Sequence, residues 1–143
     1  MPRFFDSKRN RLILSILLIL FFTLVVNETL ALRHSGSRGL SVMPFRLLYY
    51  MFQKTNPSFY FKQITLNIIL FIPFGYTLTS FLQEKGVNNL RPVLIAGAVL
   101  SITVEALQYL TSCGYTEIDD VINNTVGAVI GWWGYNQVLK KRG

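Results

Sequence analysis

Charged residues, cysteine and histidine are all scarce in this sequence of 143 residues. Charged side chains make up 15% of the chain and hydrophobic ones 51%, whereas a typical soluble domain is about 25% charged. The single cysteine, Cys113, excludes an internal disulfide bond and a zinc site built from several cysteines. The single histidine, His34, leaves no His/Cys metal pattern. The composition therefore argues against a small soluble domain and against zinc chemistry.

Lysine and arginine are absent from one long stretch, between Arg91 and Lys140. Elsewhere the basic residues occupy the gaps between apolar runs and give the chain a net charge of +7. This distribution fits anchoring at anionic lipid headgroups. We expect no nucleic-acid partner, because the basic residues are not gathered on one face. The sequence also contains no phosphate-binding loop and no Ser/His/Asp arrangement with usable spacing.

Four apolar runs, each close to the roughly 20 residues that cross a bilayer as a helix, set the predicted architecture. We predict membrane spans at residues 12–32, 64–82, 92–110 and 119–139. The first run follows a basic start, as in a signal peptide, but no small-x-small cleavage site follows it. The predicted fold class is therefore all-α: one polytopic membrane domain over residues 1–143, built as a four-helix transmembrane bundle.

The segment between the first two spans contains a short aromatic run, Pro44-Phe-Arg-Leu-Leu-Tyr-Tyr-Met-Phe52. The run is amphipathic and too short to cross a membrane. Because Tyr and Phe beside an arginine suit the headgroup boundary, we predict a short interfacial helix in this first outer segment. An ordinary loop with buried aromatic side chains fits the same periodicity.

The distribution of basic residues predicts how the spans are oriented. Four spans place both termini on one side, and nine Lys and Arg residues lie on that side against five on the other. The positive-inside rule then puts both termini of this multi-pass protein in the cytoplasm. The loop over residues 111–118 and the long segment over residues 33–62 face outward.

An acidic stretch surrounds this outer loop and holds four of the seven acids: Glu105, Glu117, Asp119 and Asp120. Carboxylates at membrane depth are costly, so they usually face a bundle interior and usually have a function. The last two spans are antiparallel neighbours, which brings the acids together just inside the outer surface. The candidate site residues are Glu105 and Asp120 for catalysis, and Asn67, Gln108, Asp119, Asn123 and Asn124 for binding.

Glycines continue this polar stripe along the last span. Gly127 and Gly131 form a Gly-x-x-x-Gly pair, which lets a neighbouring helix approach closely. Gly75 forms a similar notch in the second span, on the same helical face as Asn67. We therefore assign Gly75, Gly127 and Gly131 to helix packing.

The long outer segment holds the nearest counter-charges, Arg38, Arg46 and Lys62. We expect it to fold over the acids and to pair with at least one of them. Several chemistries fit the resulting recess. Carboxylates can act as a general acid and base, can hold a hard divalent cation with help from amides, or can bind the amine of a peptide or an envelope lipid. We assign no cofactor and no metal site.

Two structural interpretations stay open beside these functional ones. Buried polar residues can simply hold a helix bundle together. One of Asp119 and Asp120 can cap the N-terminus of the last span.

Four blocks, in their order and spacing, resemble the VanZ-like family. They are Met43-Pro44-Phe45, Asn67-Ile-Ile-Leu-Phe-Ile-Pro-Phe-Gly75, Glu105-Ala-Leu-Gln108, and Thr116-Glu-Ile-Asp-Asp120 with Asn124-Thr-Val-Gly127 and Gly131. The resemblance implies a bacterial multi-pass membrane protein whose shared polar set is Asn67, Glu105, Gln108, Asp120 and Asn124. The founding member of the family is associated with resistance to teicoplanin, a lipid-tailed glycopeptide that binds cell-wall precursors.

The function implied is that of a bacterial cell-membrane protein that contributes to teicoplanin and lipoglycopeptide resistance through an outward-facing polar pocket. Its expected partners are membrane lipids and either a lipoglycopeptide antibiotic or a lipid-linked cell-wall precursor. One alternative is a membrane enzyme that acts on an envelope lipid or a peptidoglycan precursor. A second alternative is a structural or small transport protein.

Overall fold

The structure is a computed structural model that describes residues 16, 18, 21, 37–53, 56–111 and 113–140. The elements, in chain order, are β1 (Ser37–Ser41), α1 (Arg46–Gln53), α2 (Pro57–Glu84), α3 (Leu90–Thr111), β2 (Cys113–Glu117) and α4 (Ile118–Lys140). The mostly helical character predicted from the sequence is confirmed.

The three long helices contain three of the predicted spans. The spans at 64–82, 92–110 and 119–139 fall inside α2, α3 and α4, respectively. The span predicted at 12–32 lies outside the described residues except for Ile16, Leu18 and Phe21, which are helical. The ring of Phe21 is buried against α2, with its centroid 5.3 Å from that of Phe71.

The ends of α2 follow from local chemistry. The helix starts at Pro57, whose missing N–H is not needed in a first turn. It ends before Gly86, which has a φ of 77°. The amides of Gly86 and Val87 return to the carbonyl oxygens of Gln83 and Leu82 at 3.0 and 2.9 Å. Glycine suits this left-handed position, which satisfies the last helical carbonyls.

Small residues bring α4 close to both other long helices. A Cβ placed on Gly75 of α2 would overlap the backbone of Ala128 in α4, and one placed on Gly97 of α3 would lie 2.9 Å from the Ala128 Cβ. A Cβ on Gly127 or Gly131 of α4 would overlap the backbone of α2. The backbones of α2 and α4 are therefore in direct contact, which any larger side chain would prevent.

Two helices are long and apolar enough to cross a membrane by length and composition. They are α2 and α3, and 28% of the most apolar window of each is buried. Among the described helices α4, which has Asp119 and Asp120 in its first turn, does not meet the same test. The complete four-span bundle therefore stays a prediction.

The burial pattern of α3 is the reverse of that in a soluble bundle. Its buried residues are Val93, Gly97, Ser101, Glu105 and Gln108. Its exposed residues include Leu94, Ile95, Val99, Ile102, Leu107 and Leu110. Soluble monomers rarely expose large apolar patches, whereas lipid tails are as apolar as leucine. A helix that buries polar and small residues and exposes leucine and isoleucine fits a bilayer surrounding.

A small sheet, which the sequence analysis did not predict, closes one end of the bundle. β1 and β2 pair in parallel, from Ser37 opposite Cys113 to Ser41 opposite Glu117. Residues 111–118 had been interpreted as a loop, so the all-α class is corrected to a helical bundle with a two-stranded sheet. Both strands are five residues long, and neither shows the apolar alternation that identifies a strand.

Helix α1 confirms the short helix predicted in the aromatic run. It buries Leu47 and leaves Tyr49 and Phe52 exposed, Phe52 at 80% of its surface. The helix begins five residues after the end of β1, so residues 37–53 lie at the end of the bundle where α4 begins. Its place at a membrane interface stays a prediction.

Candidate functional site

A cluster of buried and half-buried polar side chains lies at the end of the bundle that carries the sheet. We call it the polar cluster, and its members are Arg46, Asn67, Ser101, Glu105, Gln108, Glu117, Asp119, Asp120 and Asn124. The four acids are 4% (Glu105), 7% (Glu117), 4% (Asp119) and 2% (Asp120) exposed. Charges removed from water to this extent need hydrogen bonds or partners to offset the cost of desolvation.

The carboxylate of Asp119 caps helix α1. Its Oδ1 accepts a hydrogen bond from the backbone N–H of Phe45 at 2.5 Å, and its Oδ2 accepts one from Leu47 at 2.7 Å. The first amides of a helix have no partner inside it and carry the positive end of its dipole. Asp119 therefore stabilises the start of α1, a helix more than 70 residues away in sequence, rather than capping its own.

Arg46 forms an ion pair with Glu117. The guanidinium Nη2 donates to Glu117 Oε1, and the side chains are 26% and 9% exposed, respectively. The prediction that a basic residue of the segment over residues 33–62 pairs with at least one of the acids is confirmed. Lys62 is exposed, and the side chain of Arg38 lies outside the described part of the structure.

Glu105 connects α3 to β2. The backbone N–H of Glu117 donates to Glu105 Oε2 at 3.0 Å, and the hydroxyl of Thr116 donates to the Glu105 carbonyl oxygen at 3.2 Å. With its amide oriented for hydrogen bonding, Gln108 Nε2 donates to Glu105 Oε2 at 3.2 Å. Glu105 and Gln108 thus share a helical face, and the carboxylate holds the strand against that face.

Asp120 connects α4 to α2. The amide of Asn67 donates to Asp120 Oδ1 at 2.5 Å. This contact lies directly above the glycine interface of the two helices, in which Gly127 meets Ile68. The close approach of the backbones is what allows a short asparagine to reach a short aspartate.

Asn124 connects α4 to α3. Its amide Nδ2 donates to the hydroxyl oxygen of Ser101 at 2.8 Å, and both residues are buried. The side-chain oxygen of Asn124 is also buried, and within the described part of the chain it has no hydrogen-bond partner. Asn123, by contrast, is half-buried and its side chain has no hydrogen-bond partner among the described residues. The structure therefore brings six of the seven candidate site residues together and leaves Asn123 beside them.

Three members of the polar cluster were not among the candidate site residues predicted from the sequence: Arg46, which was expected only as a counter-charge, Glu117 and Ser101. Glu117 was recognised as an acid but was placed in a loop without a role, and Ser101 was not singled out. The spacing of Ser101 and Glu105, one helical turn apart, is a signal that could have identified the serine. No comparable signal exists for the bond between Glu117 N–H and Glu105, because it depends on the strand geometry.

The site offers mainly hydrogen-bond acceptors. Among the described residues the cluster contains four carboxylates, and its buried side-chain atoms without a hydrogen-bond partner include Glu117 Oε2 and Asn124 Oδ1. Within residues 37–53, 56–111 and 113–140, no group of three His, Cys, Asp or Glu side chains is arranged to hold a metal ion. The cluster thus offers buried acceptor oxygens to a hydrogen-bond donor.

The sequence was compared with known proteins. Residues 11–140 match the VanZ/LLP1 family. Over 71 residues the chain is 41% identical to Protein VanZ of Enterococcus faecium, an alignment that covers 50% of this chain and 42% of that relative. No solved structure matches the chain. Because the family match includes the three long helices, the sheet and the whole polar cluster, the chain belongs to the VanZ/LLP1 family.

Proposed function

We propose that this chain is an integral membrane protein of the bacterial cell envelope that lowers susceptibility to teicoplanin and related lipid-tailed glycopeptides. Two findings support the proposal: membership of the VanZ/LLP1 family and the 41% identity to Protein VanZ. The observation that carries it is the polar cluster, in which four buried acids meet at one end of the bundle. Buried ionisable groups between membrane-exposed helices are expensive, and they usually have a function.

The proposed membrane arrangement has four spans: residues 12–32 and helices α2, α3 and α4. Both termini are cytoplasmic, which puts the polar cluster just beneath the outer membrane surface. The support is the excess of basic residues on the side of the termini. Helix α1 then lies at the outer headgroup boundary, where its exposed Tyr49 and Phe52 contact lipid.

This orientation is testable with single cysteines, because the chain has only Cys113. In a Cys113→Ala background, Val42→Cys introduces a thiol beside α1, where Val42 is 72% exposed. Asn88→Cys introduces one in the exposed turn at the opposite end of the bundle. We expect a membrane-impermeant maleimide to label Val42→Cys in intact cells and Asn88→Cys only after permeabilisation. The reverse labelling pattern would place the acids on the cytoplasmic side and contradict the proposal.

In this proposal the polar cluster binds part of the antibiotic or of a lipid-linked cell-wall precursor and thereby alters access of the drug to its target. The acceptor-rich chemistry of the cluster supports binding of a donor-rich group. The enzyme alternative has less support. Glu105 accepts hydrogen bonds from the Glu117 and Gln108 amides, and Asp120 accepts one from the Asn67 amide. These carboxylate oxygens are therefore already engaged within the protein.

The test is antibiotic susceptibility of a sensitive host that expresses the chain. We expect the wild type to raise the minimal inhibitory concentration of teicoplanin and the variants Glu105→Gln and Asp120→Asn to lose most of that effect. Each variant removes a charge but preserves the shape of the side chain. Glu84→Gln is the matched control, because Glu84 is an exposed acid at the opposite end of the bundle.

Three further measurements make the result interpretable. The amount of each variant in the membrane is measured by immunoblot, so that loss of protein is separated from loss of function. A glycopeptide without the lipid tail is tested in parallel, and we expect a smaller shift. The proposal fails if the wild type gives no shift for teicoplanin, or if both cluster variants, present at normal levels, protect as well as the wild type.

A further inference from the structure

Two acids of the polar cluster are covered where helix α1 begins. Both oxygens of Asp119 accept backbone N–H groups from the start of α1, those of Phe45 and Leu47, at 2.5 and 2.7 Å. Glu117 pairs with the guanidinium of Arg46 in the first turn of the same helix. Both acids are buried. Because α1 occupies both oxygens of Asp119, a ligand can bind this carboxylate only after the start of α1 has moved.

Little apolar burial holds α1 in place. Of its eight residues only Leu47 is buried, whereas Leu48, Tyr49 and Phe52 are exposed. The bonds from its start to the two acids are polar, and water can replace such bonds once the acids are uncovered. Segments with few buried apolar contacts open locally at a smaller free-energy cost than the core of a protein. Helix α1 therefore has the properties of an element that opens.

The residue at which α1 joins the preceding turn has a strained backbone. Phe45 has a φ of 60°, a left-handed conformation that bulky residues rarely adopt because Cβ crowds the carbonyl oxygen. Its side chain is 58% exposed, so burial of the ring offsets little of this strain. The N–H of the same residue is bound to Asp119. Docking of α1 on Asp119 thus holds Phe45 in a strained conformation that undocking would relieve.

The other end of α1 is held against α2. The ring centroids of Tyr50 in α1 and Tyr60 in α2 are 5.8 Å apart. Helix α1 ends at Gln53 and α2 begins at Pro57, so the connection between them is short and limits how far the end of α1 can move. A rotation about this end carries the start of α1 away from Asp119 and changes the backbone angles at Phe45.

We propose that α1 is a lid on the polar cluster. Its start undocks from Asp119 and Glu117 while its end stays on α2, and in the open form the two carboxylates are accessible to solvent. In the closed form the two amides and the arginine of α1 occupy the acids as an internal ligand and inhibit binding to them. The proposal rests on the proposed function for the reason that a ligand has to reach these acids, and it adds the step that admits the ligand.

Carboxyl labelling measures whether the two acids become accessible. The full chain in phosphatidylglycerol nanodiscs is treated with a water-soluble carbodiimide and glycine ethyl ester, and the labelling rate of each acid is determined by mass spectrometry. Glu84, an exposed acid at the opposite end of the bundle, is the internal reference. We expect Asp119 and Glu117 to be labelled much more slowly than Glu84, at a rate that follows hydrogen exchange of the Leu47 amide, because both processes require the start of α1 to open.

Substitutions of Phe45 shift this opening without changing any acid. Phe45→Val places a β-branched residue at a positive φ, which is more strained still. It should raise the labelling rates of Asp119 and Glu117 and the exchange rate of the Leu47 amide together, by at least about fivefold. Phe45→Gly removes the strain and should lower all three rates by about twofold, a smaller effect because glycine also gains freedom in the open form.

Phe52 supplies the matched control. It is also an exposed aromatic residue of this segment, and it lies within α1, where valine and phenylalanine have similar helix propensities. Phe52→Val should therefore leave the labelling rates and the exchange rate unchanged. If Phe45→Val does not fold, the decrease expected in Phe45→Gly decides the test.

The outcomes separate the lid from the proposed function. Faster exchange in Phe45→Val without faster labelling of Asp119 and Glu117 overturns the lid, since α1 would then move without uncovering the acids. Unchanged rates in both Phe45 variants, or an equal effect in Phe52→Val, also overturn it. None of these rates depends on teicoplanin. Coupled changes therefore support the lid even if the chain gives no protection, whereas protection with uncoupled rates leaves the proposed function standing without a lid.

Discussion

The two halves of helix α4 bury opposite kinds of residue. The first half, from Asp119 to Asn124, buries carboxylates and an amide, and each contacts a different element of the fold. The second half, from Gly127 to Gly131, buries glycine and alanine against the backbones of its neighbours. The first half therefore contacts its neighbours through directed hydrogen bonds, and the second half through close packing of small residues against helix backbones.

The two halves therefore differ in how much they contribute to stability. Close packing between helices gives van der Waals contacts with little desolvation cost, so the glycine half is suited to holding the bundle together. In the polar half, the hydrogen bonds to Asp119 and Asp120 must first offset the loss of water around a charge, so their net contribution is small for their cost. The polar cluster, to which this half contributes two of the four buried acids, therefore fits the proposed binding function better than a purely stabilising one.

The largest effect is expected for a substitution in the glycine half of α4. Gly127→Ala should destabilise the bundle by about 2–3 kcal/mol, because the added methyl group overlaps the Ile68 carbonyl and the Phe71 side chain and the helices must separate. Gly134→Ala, in the same helix, meets no atom within 4 Å and should instead stabilise it by about 0.5–1 kcal/mol, since alanine favours helix. Reversible unfolding in mixed micelles measures both. Effects of the same sign would contradict the proposed difference between these glycines.

A smaller effect is expected where the polar half holds α1. Asp119→Ala removes the acceptor of the Phe45 and Leu47 amides and should destabilise the docking of α1 by about 2 kcal/mol, the range for bonds to charged acceptors. Hydrogen exchange at the amides of residues 45–49 is the measurement, and faster exchange should be confined to this segment. Asn123→Ala is the control. Unchanged protection in Asp119→Ala would mean that other contacts hold the helix.

The smallest effect is expected for the ion pair of Arg46 and Glu117. A double-mutant cycle with Arg46→Met and Glu117→Gln should give a coupling energy of about 1 kcal/mol, because the arginine is partly exposed and water screens the pair. The coupling should fall as salt is raised, whereas the effect of Gly127→Ala should not. A coupling near zero at low salt would show that the pair does not contribute to docking of the outer segment.

The helices and the general position of the site were predictable from the sequence. Length and apolar content identify α2 and α3, and the spacing of Gly127 and Gly131 identifies a packing face. The acids were also recognisable, because carboxylates beside apolar runs are rare enough to mark a site. The partners of these acids were not predictable. Glu117 was interpreted as part of a loop, yet it binds Arg46, and its own amide binds Glu105.

The sequence alone determined that apolar helices pack through small and polar faces and that four acids gather at one end of them, since both depend on periodicity and local composition. The tertiary structure alone decided which groups those acids contact. Asp119 caps a helix that lies 72 and 74 residues earlier in the chain, and Arg46 reaches Glu117 across 71 residues. Such contacts depend on the pairing of β1 with β2, which brings the two segments together, and a pairing between distant segments leaves no periodic trace in either one.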